Sequence, residues 1–211
     1  MTSAHKPIIG IVGGIGSGKT AAARYLAEPD GQLILADALG HEALRQPMLR
    51  DRVRALWPHV IAADGEVDRR LLGAIVFADP SQLVLLEGIS FPWIGERIRN
   101  SLAEAQLNPR VAYVVLDAAI LYETGWNSVC DAVVYIHTPR DLRIARVAER
   151  GWSAQDLGKR ERQQWPLARK ALAADWIVTN AHTLDRLHAA LNRLRPELTR
   201  PSGRFPDAIP S

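Results

Sequence analysis

The chain has 211 residues, of which 47% are hydrophobic and 23% charged, and its formal net charge at pH 7 is +3. This length is enough for one sizeable core, and the composition is that of a soluble globular protein and excludes a disordered one. No apolar stretch reaches the roughly 18 residues of a membrane helix, and the first residues lack the apolar run of a secretory signal. The single cysteine, Cys130, excludes an internal disulfide framework, and together these features predict a cytoplasmic protein.

Positive charge is concentrated late in the chain. Between Arg140 and Lys170 there are nine Lys or Arg and four Asp or Glu, so this segment carries a net charge of +5. Of the 26 basic residues in the whole chain 22 are Arg, whose guanidinium is the better bidentate partner for phosphate. A GC-rich coding bias would explain the abundance of Arg but not its clustering.

Short apolar runs alternate with longer amphipathic stretches, which predicts an α/β protein with a five-stranded parallel sheet. The predicted strands are Ile8–Val12, Leu33–Ala36, Val111–Leu116, Ala132–Ile136 and Trp176–Val178. The predicted helices are Gly18–Ala27, residues 37–56 with a break at Pro47, Asp68–Phe77, Ser81–Gln106 kinked or split at Pro92, Arg140–Arg150, a helix capped by Ser153 that runs to about Gln164, and His182–Arg195. The chain from Pro196 onward contains three further prolines and is predicted to be a loose tail.

The most specific motif is GGIGSGKT at Gly13–Thr20, which fits the phosphate-binding pattern G-x-x-x-x-G-K-[ST] between a predicted strand and a predicted helix. Glycines let successive backbone N–H groups point inward, and the following helix adds the positive end of its dipole. Lys19 is then expected to reach the β- and γ-phosphates of ATP, and the Thr20 hydroxyl to ligate Mg²⁺. The other residues of this predicted nucleotide-binding loop are Gly14, Ile15, Gly16, Ser17 and Gly18.

The loop does not by itself name the reaction, because GTPases, motors and small-molecule kinases share it. A small-molecule kinase closes a charged lid over the transferring phosphoryl group, and the basic segment has this character. The N-K-x-D sequence of GTPases and zinc-type Cys/His spacings are absent from the chain. The six tryptophans are scattered, which disfavours a nucleic-acid surface. A kinase that uses ATP and Mg²⁺ is therefore the favoured interpretation.

Two aspartates are predicted at the carboxyl ends of strands, where open α/β sheets bind ligands. Asp37 follows the strand in LILAD and is equally well a helix N-cap or a base that orients an acceptor hydroxyl. Asp117 ends VAYVVLD, where it would hold Mg²⁺ directly or through water, with a structural cap as the alternative. Tyr122 and Glu123 follow it, and their spacing alone favours an ordinary exposed acid beside a partly buried aromatic ring.

Three arginines of the basic segment are candidates for phosphate contact. Arg146 and Arg150 are four residues apart and share one helix face, and Arg160 lies on the next predicted helix. One or two of them are expected to touch phosphate while the others are solvated.

In their order along the chain, these motifs resemble the dephospho-CoA kinase family, from Ile8 to about Leu194. GGIGSGKT resembles the family's opening loop, ADALGHEAL its D-A-D-x-x-x-H/R-x-L segment, and ADGEVDRRLLGAIVFADP its D-G-x-x-x-R-x-x-L-x-x-x-V-F block. LEGISFPWI and LDAAILYETG resemble L-x-x-I-x-H-P-x-I and a P-L-L-F-E-type segment. RIARVAERGWS resembles the R-x-x-R-D/G-x-S lid entry, and ADWIVTN resembles A-D-x-V-I-x-N.

The resemblance implies a P-loop kinase with a three-layer α/β/α fold within residues 1–200. Its implied parts are a nucleotide-binding core at about 7–36, 108–138 and 174–195, a helical acceptor-binding region at about 37–107, an Arg-rich lid at about 140–172, and a flexible Pro-rich tail at 201–211. The implied reaction moves the γ-phosphoryl group of ATP onto the ribose 3′-hydroxyl of dephospho-CoA, the last step of coenzyme A biosynthesis. The implied partners are these small molecules, without nucleic acid or membrane, and the oligomeric state is left open.

The resemblance also implies roles for individual residues. Asp37 matches the position that the family uses as a base, with Lys19 and Arg146 as further catalytic residues. Arg150 and Asn180 join the loop as nucleotide-binding residues. The residues implied in acceptor binding are Asp37, Arg69, Tyr122, Glu123 and Arg160.

Three positions depart from the family's pattern. Leu35 stands for the first Asp of D-A-D, Phe91 for the His before Pro, and Ala119 for the Pro of P-L-L. Two alternatives therefore stay open. One is a kinase for another small hydroxyl acceptor, of the nucleoside-monophosphate or sugar type, and the other is a nucleotide-binding module without turnover.

Overall fold

The structure is a computed structural model that describes residues 5–200; the predicted tail at 201–211 lies outside the described residues. The strands are β1 (Ile8–Gly13), β2 (Gly31–Leu35), β3 (Tyr113–Asp117), β4 (Ala132–His137) and β5 (Trp176–Thr179). The helices are α1 (Lys19–Ala27), α2 (Ala36–Ala43), α3 (Pro47–Leu56), α4 (Arg69–Val76), α5 (Pro80–Leu107), α6 (Arg140–Ala148), α7 (Ala154–Glu161), α8 (Leu167–Ala173) and α9 (Leu184–Leu198).

The five strands form one parallel sheet in the order β2-β3-β1-β4-β5, which confirms the predicted α/β fold. Each predicted strand is present, and its ends lie within two residues of the predicted ones. Strands β1 and β3 are buried along their whole length, as expected for central strands covered on both faces. Because β1 and β3 pair in parallel, their carboxyl ends at Gly13 and Asp117 lie at the same edge of the sheet.

Helices cover both faces of the sheet. Ile9 and Ile11 of β1 share one buried cluster with Leu26 of α1 and with Leu187 and Leu191 of α9. Side chains alternate along a strand, so the intervening residue of β1 faces the other side. On that other side lie the segment that follows β3 and helix α8, which lies against β1 and β4.

Residues Ala36–Ile98 form a second compact unit, and the rest of the described chain forms the first. The second unit has its own buried cluster, which consists of Val53, Trp57, Val60, Leu72 and Val76. The predicted acceptor-binding region, about 37–107, extends further along α5 than this unit does. The last turns of α5 belong to the first unit, because Ser101 and Ala105 accept hydrogen bonds from Gln32 and Lys6 through their carbonyl groups.

Three helical predictions differ from the structure. Helix α5 is one continuous helix with Pro92 inside it, so the predicted alternative of a split is wrong, while that of a kink stays a prediction. Helix α8 was not predicted, because seven residues are too few to show a helical period. The predicted start of a loose tail at Pro196 is wrong, because α9 continues to Leu198, which is buried in the same cluster as α1. The predicted N-cap at Ser153 is confirmed: its hydroxyl accepts from the Asp156 N–H at 3.1 Å.

Among residues 5–200, no helix combines the length and the apolar character needed to cross a bilayer.

The close packing beside β1 leads to a prediction. A Cβ atom at Gly10 would lie 2.8 Å from Leu121 Cδ2 and 2.9 Å from Cys130 Sγ. We expect Gly10→Ala to lower the free energy of unfolding by about 1–3 kcal/mol through overpacking. Gly88→Ala, in an exposed part of α5 where a Cβ meets nothing within 4 Å, should raise it by about 0.5–1 kcal/mol. Denaturant titration of both variants measures the free energy of unfolding. Equal values for Gly10→Ala and Gly88→Ala would contradict the close packing described at Gly10.

Candidate active site

The turn between β1 and α1 adopts a conformation that requires glycine. Gly13, Gly16 and Gly18 have φ angles of 152°, 78° and 88°, which residues with a side chain rarely adopt. Gly18 is the N-cap of α1 and has a left-handed conformation. The turn therefore brings the N-terminus of α1, with its unsatisfied N–H groups and positive dipole end, to the carboxyl edge of the sheet. This is an anion-binding arrangement.

Lys19 and Thr20 begin α1 at this point. The buried Lys19 ammonium donates to the carbonyl oxygen of Gly14 at 3.1 Å, so the side chain folds back over the loop. Thr20 Oγ1 donates to Asp117 Oδ2 at 2.6 Å, and Asp117 is buried at the end of β3. The structure thus brings together the two predicted metal-binding residues.

A hydroxyl and a carboxylate beside a phosphate-binding loop are the hard oxygen donors that Mg²⁺ prefers. Among residues 5–200 there is no group of three or more His, Cys, Asp or Glu placed to hold a metal ion. One hydroxyl and one carboxylate, as in the Thr20–Asp117 pair, fit a cation that takes its other ligands from phosphate and water, as Mg²⁺ usually does.

Helix α6 packs directly against the loop. Arg146 Nη1 donates to the carbonyl oxygens of Gly16 and Ser17, both at 3.3 Å, and Nη2 donates to the carbonyl of Asn180 at 3.3 Å. A Cβ atom at Gly16 would lie 2.9 Å from the carbonyl oxygen of Arg143. The close approach of α6 thus depends on the glycine, and Arg146 contacts the backbone of the loop.

Asn180, which follows β5, supports the loop from another side. Its buried side chain donates through Nδ2 to the Ser17 carbonyl at 2.8 Å, and its own carbonyl accepts from Thr138 Oγ1 at 3.1 Å. The Ser17 hydroxyl is buried and has no hydrogen-bond partner in the described chain. The predicted contact of Asn180 with the nucleotide stays a prediction; what the structure contains is its contact with the loop.

Sequence reasoning counted Arg143 in the basic segment but missed its contact with the loop. Arg143 is 4% exposed; Nε donates to the Thr138 carbonyl at 3.2 Å, and Nη1 donates to the Ile15 carbonyl at 3.3 Å and forms an ion pair with Glu161. Glu161 also pairs at 2.9 Å with Arg140, whose side chain is 55% exposed. Arg143 lies three residues before Arg146, and this spacing places both on the side of α6 that faces the loop.

The other two predicted lid arginines lie further along. Arg150 is exposed just beyond the end of α6. The guanidinium of Arg160 lies 4.0 Å from the centroid of the Trp152 ring, and burial lowers the pKa of Arg160, an effect that the charge of Asp156 partly offsets. Contacts of Arg150 with nucleotide and of Arg160 with the acceptor stay predictions.

Tyr122 and Glu123 contact the segment before α8. Tyr122 is 8% exposed, and its ring stacks on that of Trp165 with centroids 5.4 Å apart and planes 5° apart. Burial raises the pKa of the Tyr122 hydroxyl to about 12, and this hydroxyl has no hydrogen-bond partner in the part of the chain that is described. Glu123 Oε1 accepts from the Trp165 N–H at 2.7 Å and pairs with Lys170 at 2.8 Å. Acceptor binding by either residue stays a prediction.

The remaining two predicted residues, Asp37 and Arg69, belong to the second unit. Helix α2 begins at Ala36, so Asp37 is an exposed residue of its first turn rather than the N-cap. His41 follows one turn later on the same face. Burial lowers the pKa of His41, the charge of Arg69 lowers it further, and the charge of Asp37 raises it.

Asp37 and Arg69 therefore both lie within electrostatic range of the His41 imidazole. Sequence reasoning did not assign His41, although His41 stands at the H/R position of the ADALGHEAL segment.

The charges around His41 predict its titration. We expect its pKa to lie below the ordinary value of about 6.5, so that it is neutral at pH 7. Arg69→Met should raise this pKa and Asp37→Asn should lower it further, because the first removes a repelling charge and the second an attracting one. An NMR pH titration of the imidazole measures these shifts. Arg70→Met is the control and should cause no shift. If neither Arg69→Met nor Asp37→Asn changed the pKa of His41, the placement of these two charges near the imidazole would be wrong.

The shared carboxylate of Glu161 allows a matched comparison. We expect Arg143→Met to lower the free energy of unfolding by about 2–3 kcal/mol, because a buried charged donor to one carboxylate and two carbonyls is lost. Arg140→Met, which removes the exposed partner of Glu161, should cost less than about 1 kcal/mol. Denaturant titration measures stability, and calorimetry with ATP should show weaker binding only for Arg143→Met. Equal effects of the two substitutions would contradict a support role for Arg143.

A protein-family model for dephospho-CoA kinase, CoaE, matches residues 7–186. The chain is 33% identical over 197 residues to the dephospho-CoA kinase of Latilactobacillus sakei, an alignment that covers 92% of this chain and 97% of the relative. It is 35% identical over 209 residues to the dephospho-CoA kinase of Anaeromyxobacter dehalogenans, with coverage of 96% and 98%.

Solved structures agree with these sequence relatives. The crystal structure of TT1252 from Thermus thermophilus superposes with a TM-score of 0.76 at 32% identity and covers 92% of this chain and 99% of that one. The fold is also that of the dephospho-CoA kinase from Campylobacter jejuni, with a TM-score of 0.58, 18% identity and coverage of 92% and 97%. On the matched family model and the extent of these alignments, the chain belongs to the dephospho-CoA kinase family.

Proposed function

We propose that this protein transfers the γ-phosphoryl group of ATP to the ribose 3′-hydroxyl of dephospho-CoA, giving CoA and ADP, the last step of coenzyme A biosynthesis. The observation that carries the proposal is the glycine-dependent loop whose Lys19 and Thr20 begin α1 beside the buried Asp117. Membership of the family supplies the acceptor. A cytoplasmic location stays a prediction.

On the nucleotide side, the loop would bind the phosphates through backbone N–H groups and Lys19. The Lys19 ammonium now donates to the Gly14 carbonyl, and it would exchange this acceptor for a phosphate oxygen. Thr20 and Asp117 would hold Mg²⁺ directly or through water; when bound, this ion neutralises phosphate charge. Arg146 is a further catalytic residue of this proposal, and Arg150 and Asn180 are its further nucleotide-binding residues.

On the acceptor side, Asp37 would accept the proton of the 3′-hydroxyl and orient its oxygen for attack on the γ-phosphorus. Its support is an exposed carboxylate in the first turn of α2, two residues beyond the end of β2, with Arg69 in electrostatic range of the same imidazole. The positive charge of Arg69 suits the phosphates of a nucleotide-like acceptor. Tyr122 and Arg160 stay acceptor-binding candidates.

The three departures from the family's pattern have definite positions. Leu35 ends β2 and pairs with Asp117 in the sheet, and Phe91 is partly buried in α5. Ala119 contributes its carbonyl oxygen to Lys170, a contact that a proline would make equally well. These positions motivate a direct test of the acceptor.

An acceptor panel tests the proposed function. Purified protein is incubated with ATP, Mg²⁺ and either dephospho-CoA, nucleoside monophosphates or sugars, and the products are weighed by mass spectrometry. We expect dephospho-CoA alone to gain one phosphoryl group. Transfer to another hydroxyl compound would favour a kinase with a different acceptor, and tight ATP binding without acceptor-dependent ADP release would favour a module without turnover.

The role of Asp37 predicts a clear kinetic phenotype. We expect Asp37→Asn to lower kcat by about 10²–10⁴-fold while ATP affinity changes little, because a general base acts on the acceptor hydroxyl. Lys19→Ala should abolish turnover. Asp51→Asn, which alters an exposed carboxylate paired with Arg54 in α3, is the control and should behave as wild type. Steady-state kinetics measures kcat for each variant. A wild-type kcat for Asp37→Asn would show that Asp37 does not act as the base.

A further inference from the structure

Helix α8 contains a lysine with no exposed surface. The side chain of Lys170 is 0% exposed, and lysine is almost never fully buried unless it is paired. Its ammonium group has three N–H donors and three acceptors. These are the Glu123 carboxylate at 2.8 Å, the Ala119 carbonyl at 2.5 Å and Gln164 Oε1 at 3.2 Å. Every proton of the ammonium group therefore has a direction imposed by the fold.

These acceptors come from two separate stretches of the first unit. Ala119 and Glu123 follow β3, and Gln164 precedes α8. Glu123 Oε1 also accepts from the backbone N–H of Trp165 at 2.7 Å, so one carboxylate oxygen of the first stretch binds two groups of the second. We call Lys170, Glu123, Gln164, the Trp165 N–H and the Ala119 carbonyl the clamp.

The buried ion pair in the clamp contributes little net stability to the fold. A buried charged pair loses the hydration of both ions, and well-packed apolar residues of similar volume often stabilise a protein as well or better. What the ion pair adds is a fixed geometry, since several directional bonds meet at one nitrogen atom. The role of the clamp therefore has to be inferred from the two stretches of chain that it joins.

Both stretches lead to the nucleotide loop. Ala119 lies two residues beyond Asp117, which accepts the hydrogen bond of Thr20. Gln164 lies three residues beyond Glu161, which pairs with Arg143, and the Arg143 guanidinium contacts the Ile15 carbonyl. The clamp thus joins the strand end that carries Asp117 to the lid segment that is bonded to the loop.

We propose that Lys170 is a positioning residue for phosphoryl transfer, which fixes Asp117 and the Glu161-bearing lid segment relative to each other through Ala119, Glu123 and Gln164. Glu123 then acts through Lys170 and the Trp165 N–H, in place of the predicted acceptor contact. This inference rests on the proposed kinase function.

A set of three variants separates positioning from stability. Lys170→Met and Glu123→Gln each leave a buried charge without its partner, and the double variant removes both charges. We expect each single variant to have a lower Tm, and the double variant to recover most of that loss. The kcat of the double variant, corrected for folded protein, should still lie about 10- to 100-fold below wild type, because the directional bonds to Ala119 and Gln164 are gone.

Two further readouts belong to positioning rather than to stability. The KM for ATP should change little in the double variant, whereas the Mg²⁺ concentration for half-maximal rate should rise, since Asp117 is displaced. Hydrogen exchange of the Trp165 amide should be faster in Lys170→Met, while amides of β1 keep their protection. Lys159→Met, which alters a lid lysine outside the clamp, is the matched control and should match wild type in every readout.

The double variant decides the outcome. If it regains wild-type kcat together with its Tm, Lys170 serves stability only and the inference is overturned. A wild-type kcat for Lys170→Met overturns it as well. Failure of the proposed function would look different, because the unaltered chain would then show no transfer to dephospho-CoA, and unchanged Trp165 exchange in Lys170→Met would still refute the clamp.

Discussion

The site depends on the orientation of the nucleotide-loop backbone, which hydrogen-bond donors from α6 and from the end of β5 hold in place. The carbonyl oxygens of three consecutive residues, Ile15, Gly16 and Ser17, accept from Arg143, Arg146 and Asn180. In a planar peptide unit the C=O and the following N–H point in opposite directions. Donors that hold the Ile15 and Ser17 carbonyls therefore turn the N–H groups of Gly16 and Gly18 the other way, where they are able to bind an anion. The Ser17 N–H donates to the Gly14 carbonyl at 3.1 Å, which closes the turn.

This constraint explains the architecture around the loop. Helix α6 approaches closely enough for its arginines to reach the loop backbone, because Gly16 has no side chain to keep it away. Asn180 reaches the loop from the end of β5, and Asp117 reaches Thr20 from the end of β3. The parallel sheet brings these strand ends to one edge, so the residues that form the site come from distant parts of the chain.

The basic segment has several tasks rather than one. Arg143 and Arg146 bind loop carbonyls, and Lys170 is fully buried in an ion pair. The guanidinium of Arg169 lies 3.4 Å from the centroid of the Trp165 ring, and Arg160 lies over Trp152 in a similar way. Much of the charge clustered between residues 140 and 170 is therefore engaged in contacts within the chain, and only part of it is available to phosphate.

Elements with a strong local signal were predictable. The strands follow from short apolar runs, and the loop follows from glycines whose backbone conformation other residues avoid. Helix α8 was missed because it is short, and the continuation of α9 through Pro196 was missed because burial of Leu198 outweighs a local helix breaker. The N-cap alternative for Asp37 failed on a shift of a residue or two in the start of α2, which local patterns rarely resolve.

What the sequence by itself determined is the chemistry available: a glycine loop followed by Lys19 and Thr20, carboxylates at strand ends, and an excess of arginine between residues 140 and 170. Only the tertiary structure decided which of those charges meet. Arg143 and Lys170 are indistinguishable from their basic neighbours in sequence, yet they are 4% and 0% exposed while Arg140 is 55% exposed. The reason is physical: a periodic pattern specifies the face of a helix, whereas the cost of burying a charge is met only by partners that folding brings from elsewhere in the chain.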